Sequence, residues 1–271
     1  MTAASPGTVL LTGAAGSIGS ALREGLPSLG WAVLPLDREP VPGGMVAELA
    51  DTAALDRALT GEPRPTAVVH LAGVPSEAPW PVIRDANVDG LVQVFEAARR
   101  AGVRRVVYAS SNHVSGFTPV PSPDAVPLPA DLAPRPDTLY GVSKAFGEAL
   151  GRYYADRYGM QVACLRIGNF TERPDDRRTL AMWLSPGDAV RLVDACLRAS
   201  ALTFAIVWGI SANTRRTCDL AAGRALGYEP RDDSEAYAHS LDEPQPDPSD
   251  GLLGGGFTSP GFGIDEVAAR S

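Results

Sequence analysis

Apolar runs rich in β-branched residues alternate along this chain with stretches whose apolar positions recur every three or four residues. The runs are TVLLT (8–12), WAVLPL (31–36), TAVVHL (66–71), VRRVVYAS (103–110), QVACLRI (161–167) and TFAIVW (203–208). Apolar runs of this length read as strands buried on both faces of a parallel sheet. MVAEL (45–49) is a shorter and weaker candidate. Between the runs, IGSALREGLPSLG, NVDGLVQVFEAARRAG and YGVSKAFGEALGRYYADRYG carry helical spacing. The alternation predicts an α/β fold, a Rossmann-type doubly wound parallel sheet.

The regularity fails after about Ile167. NFTERPDDRR reads as a loop, PGDAVRLVDACLRAS as one good helix, and LAAGRALG as another. The Pro/Gly/Asp-rich stretch EPQPDPSDGLLGGGF follows, either disordered or wrapped extended over a surface. The expected division is a sheet domain of residues 1–167 plus 186–210, and a small irregular part of 168–185 plus 211–271 capping the sheet.

Composition narrows the partners. The 271 residues are 45% hydrophobic and 21% charged with a net charge of −8, which disfavours nucleic-acid backbones and anionic membranes. Cys164, Cys196 and Cys218 are odd in number, scattered and never paired as CxxC, so reduced cytoplasmic thiols are expected. His70, His113 and His239 show no metal-ligand spacing, and no metal is expected. MTAASPG has neither the basic nor the apolar region of a signal peptide, and no transmembrane run is visible.

Strand TVLLT runs straight into GAAGSIG, where Gly13, Gly16 and Gly19 frame Ser17 and Ile18 before a helix. A glycine turn there lets the backbone approach a pyrophosphate at the positive end of a helix. Strand before and helix after give an otherwise weak pattern its meaning. An acidic residue roughly 20 positions on should accept ribose hydroxyls. Asp37 stands there in LPLDRE and favours NAD over NADP, a preference that Arg38 could soften.

LYGVSK places Tyr140 and Lys144 on one helix face. A free phenol titrates near pH ~10, and making it a base near neutrality takes about 3–4 kcal/mol. A lysine one turn away, beside a cationic nicotinamide, is the right kind of source. Alone, the pair reads equally as polar helix packing. VRRVVYAS leads into Ser110 and Ser111, at the strand ends where ligands bind. A hydroxyl there can bond a substrate oxygen, or simply cap the strand.

GAAGSIG, Asp37, HLAG (70–73), ASSNH (109–113) and YGVSK, in this order, resemble the extended short-chain dehydrogenase/reductase family. The resemblance implies Tyr140 as general base, Lys144 as the group that lowers its pKa and holds the nicotinamide ribose, and Ser111 as the orienter of the reacting oxygen. It also implies that Leu49, Leu71, Ala72 and Gly73 line the cofactor, that Glu48 lies near the adenine, and that Asn87 supports the site. Self-association through the helices near Asn87 and Tyr140 is likewise implied.

ASSNHVSG, RPDTLYGVSKAFGE, LRIGNFTERPDDRR and VWGISAN look more narrowly like bacterial uronate dehydrogenases, as does PDPSD in the tail. That likeness implies NAD-dependent oxidation of glucuronate or galacturonate at C1 to an aldarolactone. Asn112 and His113 would then meet sugar hydroxyls, and Arg178 the carboxylate, as a guanidinium fork suits. The plain alternatives are a turn former, a packed neutral ring and a solvated arginine.

Several positions depart from the pattern. Pro75, followed by Ser76, stands where the family has a serine; Asn169 replaces a serine, and Glu48 an aspartate. The loop before Tyr140 is also longer and richer in proline. Two other readings stay open: an epimerase or dehydratase acting on nucleotide-linked sugars, and a dinucleotide-binding regulator without turnover.

Overall fold

A computed structural model of the chain describes residues 6–122, 124–176, 179–241 and 251–263. The first half runs β1 (Thr8–Thr12), α1 (Ser17–Ser28), β2 (Ala32–Asp37), β3 (Met45–Val46), α2 (Thr52–Thr60) and β4 (Ala67–His70). It continues through α3 (Trp80–Ile83), a π-helical turn (Arg84–Asp89), α4 (Gly90–Ala101), β5 (Arg105–Ser111), a 3₁₀ turn (Asn112–Ser115) and α5 (Leu139–Tyr158). The second half holds β6 (Gln161–Ile167), β7 (Asn169–Phe170), β8 (Trp183–Leu184), α6 (Pro186–Arg198), β9 (Phe204–Gly209) and α7 (Ala221–Ala225).

Seven strands form a sheet in the order β3-β2-β1-β4-β5-β6-β9, and the pairs are parallel. All six longer apolar runs lie in it, within a residue or two of their expected bounds. The MVAEL run shortens to Met45–Val46 at the sheet edge. Side chains alternate across the pleat: Val9, Leu11 and Val107 join one core with α1 and α6, whereas Leu10, Val106 and Tyr108 join the other with α2, α4 and α5. The doubly wound prediction holds.

Helix α2 was not anticipated from the periodicity. TAALDRALT is short, yet Ala54, Leu55, Ala58 and Leu59 are buried, and Asp51 caps it by accepting from Ala54 N at 2.9 Å. The NVDGLVQVFEAARRAG helix starts earlier than read, because α3 and the π turn precede it. At the end of the sheet away from the strand carboxyl termini, arginines close helix ends. Arg64 donates to Ala101 O, Arg104 to Gly159 O, and Arg105 to Leu197 O and Ala199 O.

β7 pairs with β8 as a separate two-stranded ribbon beyond β6. Of the proline-rich tail, residues 251–263 lie folded against the loop after the 3₁₀ turn. Val120 N donates to Gly251 O, Leu253 N to Thr118 O, and Gly254 N to Gly116 O, at 2.7–3.0 Å. The rest of that tail, PDPSD included, lies outside the described residues. No helix among the described residues is long and apolar enough to cross a membrane.

Candidate active site

The carboxyl ends of β1, β2, β4, β5 and β6 bring the chemistry together. After β1, Gly13 turns with φ +73°, a conformation that favours glycine, and a Cβ there would sit 2.5 Å from Ala72 N. Helix α1 begins beyond Gly16 with no side chain capping its first turn, and Ala15, Gly16 and Ser17 are exposed. Free N–H groups at a helix head suit an anion. Asp37 ends β2, where Oδ2 accepts Ala15 N at 2.9 Å and Oδ1 accepts Glu39 N at 3.0 Å. Its carboxylate is thereby aimed across the glycine turn. Arg38 is solvated beside it, Glu48 is exposed, and Leu49 is half-buried.

His70 closes β4 fully buried, its Nδ1 2.7 Å from Thr12 Oγ1. Burial, aided by the Lys144 cation, pulls its pKa down to about 3. The unfolded ring titrates near 6.5, so the unfolded chain binds the extra proton as pH falls through the window between. Stability from this residue is therefore full above pH ~6.5 and drains toward pH ~3, by about 2–3 kcal/mol at pH ~4.5. Urea unfolding at neutral pH and near pH ~4.5 should show this loss, and His70→Gln should shrink it. An unchanged loss in the variant would rule His70 out as its source.

Beyond His70, Leu71 and Ala72 are half-buried and Gly73 is exposed along the cleft. Asn87, in the π turn, holds this segment: Oδ1 accepts Val74 N at 2.7 Å, while Nδ2 donates to Val74 O and Ser143 Oγ, both at 3.0 Å. It thus ties the β4 turn to α5. Pro75 is exposed and Ser76 half-buried on the same segment. Glu77 is buried, and its Oε2 accepts Tyr140 N at 2.9 Å. Nothing in the sequence around Glu77 marks it as a partner for the head of α5.

Helix α5 starts at Thr138, whose Oγ1 accepts Gly141 N at 3.0 Å. Tyr140, Lys144 and Glu148 follow at one-turn spacing, all buried. Lys144 Nζ donates to Ala109 O at 2.8 Å and lies 5.6 Å from the centre of the Tyr140 ring. Burial pulls its pKa down to about 8. Burial also pushes the Tyr140 phenol up; a hydrogen bond from Ser111 pulls it down, and the Asp137 carboxylate pushes it up again. The phenol of the chain alone is therefore shifted opposite to the expected direction. Burial is the largest cause, and the Lys144 ammonium is itself engaged by a carbonyl.

The two serines at the end of β5 part company because strand side chains alternate. Ser111 faces Tyr140 and receives His113 N at 3.2 Å. Ser110 points the other way and donates to Glu148 Oε1 at 2.6 Å. Glu148 takes Arg166 in a fork, with Nε to Oε1 at 2.9 Å and Nη2 to Oε2 at 2.8 Å. Arg166 also donates to Ser115 Oγ at 2.9 Å, beneath the 3₁₀ turn. This buried pair was missed, although Glu148 continues the Tyr140–Lys144 face.

Asn112 is buried, its Nδ2 donating to Leu253 O at 3.2 Å. His113 Nδ1 lies 2.7 Å from Asp137 Oδ2, and its ring stands edge-on to Tyr140 with centroids 5.8 Å apart. Asn169 is half-buried in β7, with Nδ2 3.5 Å from Thr171 Oγ1. Arg178 lies outside the described residues. Among those described, no cluster of histidine, cysteine or acidic residues could hold a metal ion.

A glycine turn facing an acid-tipped second strand, with a tyrosine and lysine buried across the cleft, defines a dinucleotide-dependent enzyme of the short-chain dehydrogenase/reductase type. The chain belongs to the NAD dependent epimerase/dehydratase family, whose model it matches over residues 9–185. It is 39% identical over 254 residues to the uronate dehydrogenase of Agrobacterium fabrum, covering 90% of this chain and 93% of that one. It is 40% identical to the NAD-dependent glucose-6-phosphate dehydrogenase of Haloferax volcanii, over 84% of this chain and 95% of that one. A crystal structure of a uronate dehydrogenase mutant from Agrobacterium tumefaciens, complexed with NAD, is similar with a TM-score of 0.85 at 38% identity, covering 93% and 96% of the two chains.

Proposed function

We propose that this protein oxidises a uronic acid, glucuronate or galacturonate, at C1 to an aldarolactone with NAD. The buried Tyr140–Ser111 pair at the strand ends carries this reading, beside likeness to uronate dehydrogenases over most of the chain. Residues of the glycine turn, with Asp37, Leu71, Ala72, Gly73, Asn87 and Lys144, would hold the dinucleotide. Bound NAD would supply the hydride acceptor. Ser111 orients the C1 oxygen, and Tyr140 takes its proton at Oη. Lys144, buried with one contact to Ala109 O, favours the phenolate once a cationic nicotinamide shares the cleft. In this reading the ribbon β7–β8 and the described residues 211–241 and 251–263 cap the sugar, and the resemblance assigns its carboxylate to Arg178.

The direct test is NADH formation with glucuronate and galacturonate. Turnover of neither, with turnover of glucose 6-phosphate or a neutral sugar, would reject the uronate. Tightly held NAD without net NADH release would favour epimerisation. Asp37→Ser should raise KM for NAD by roughly 10–100-fold, the worth of about 1.5–3 kcal/mol for a charged hydrogen bond. NADP should suffer less, narrowing the preference; equal losses for both would place the discrimination elsewhere.

A cytoplasmic location follows in this reading, supported by the buried free thiols Cys164, Cys196 and Cys218. Self-association is supported by exposed apolar side chains on α3 and α5, namely Trp80, Val82, Val142, Phe146 and Tyr153. Sedimentation showing a monomer at high micromolar concentration would reject it.

A further inference from the structure

We infer that Asp137 is a positioning residue that fixes His113 as a hydrogen-bond acceptor, so that the site selects a sugar hydroxyl at this point. The inference rests on the proposed sugar-acid reading and adds a group that the sequence did not single out. The Asp137 side chain is wholly buried, and both its oxygens are engaged. Oδ2 lies 2.7 Å from His113 Nδ1, and Oδ1 accepts Thr138 Oγ1 at 3.0 Å. A carboxylate can only accept, so Nδ1 must carry the hydrogen. In the neutral ring the other nitrogen, Nε2, then presents a lone pair.

Nothing among the described residues bonds Nε2, and it is not one of the polar atoms sealed away from solvent without a partner. The His113 side chain is only 15% exposed and stands beside Tyr140. The ring cannot turn away. Phe257, from the C-terminal segment, stacks on it with centroids 4.1 Å apart, and Tyr140 meets it edge-on. Asp137 is fixed just as firmly. A Cβ at Gly116 or at Gly254 would strike its Oδ2, so only glycines admit the carboxylate between the loop and the C-terminal segment. One segment thus closes over both members of the pair. A neutral ring that can only accept rewards a hydroxyl and gives nothing to a carboxylate or carbonyl oxygen at the same place.

Nitrogen-15 NMR of the full-length protein, histidine-labelled and loaded with NAD, reads the ring directly, with His113→Gln assigning one signal among three histidines. The expected result near pH 7.5 is a neutral ring protonated at Nδ1. An imidazolium, or a ring protonated at Nε2, would overturn the inference whatever the enzyme turns over. Asp137→Asn, which can donate to Nδ1, should reverse or mix the tautomers. It should also raise KM for the sugar acid about tenfold or more, with kcat falling less than about threefold. An unchanged KM with the tautomer reversed would equally overturn it. Wild-type protein with the expected ring but no uronate turnover would instead count against the substrate reading alone.

Discussion

Tyr140→Phe is expected to lower kcat for sugar-acid oxidation by about 10²–10⁴-fold, the usual worth of a positioned acid–base group. The phenol sits beside Ser111 at the end of β5, and only its oxygen is removed. The ring keeps its edge contact with His113, and its backbone N–H keeps Glu77. Fold and dinucleotide affinity should therefore survive, as thermal melts and NAD titration would check. Because the phenolate is the base, kcat/KM of the wild type should climb with rising pH as that form is populated; burial of the phenol in the chain alone pushes the climb toward the alkaline side, and bound NAD opposes that push. The climb should vanish in the variant. A variant retaining more than about a tenth of wild-type kcat would end the proposed role of this oxygen.

The largest expected effect on stability comes from dividing the Glu148–Arg166 pair. Their side chains are 5% and 1% exposed, and the fork is completed by Ser110, Ser115 and Leu132 O. Glu148→Ala leaves a buried guanidinium without its counter-charge, which costs about 3–5 kcal/mol. At roughly 2–4 °C per kcal/mol for a chain of this size, Tm should fall by about 6–20 °C. Replacing both members together, as Glu148→Leu with Arg166→Met, should cost less than Glu148→Ala alone, because no charge is then stranded. Melting curves of the single and double variants decide this. A single variant within about 1 kcal/mol of wild type would mean that the cleft floor does not depend on the pair. The 3₁₀ turn carrying Asn112 and His113 rests on Arg166 through Ser115, so the single variant should also lose sugar affinity.

Much of the architecture was legible in the residues. Strands buried on both faces must be apolar throughout, and such runs are visible without knowing their neighbours. The glycine turn, Asp37 and the Tyr140–Lys144 face were legible for a related reason: each is set by spacing within one short segment. Helix α2 was not, because nine residues give too short a period, and only its packing on α4 makes it stable. The tail was open between two fates, and its 251–263 portion took the packed one through pairing with residues 116–120, far away in sequence.

The sequence by itself determined the parallel sheet, the glycine turn and the shared helix face of Tyr140 and Lys144, since these follow from local periodicity and motif order. Tertiary structure decided which serine faces the cleft, and that Glu148 meets Arg166 from another strand. It also decided that Asp137 meets His113 beneath a segment more than a hundred residues away. Strand alternation fixes only that neighbouring side chains diverge. Which side holds the cleft, and which charges are drawn together out of water, depends on the packing of distant elements.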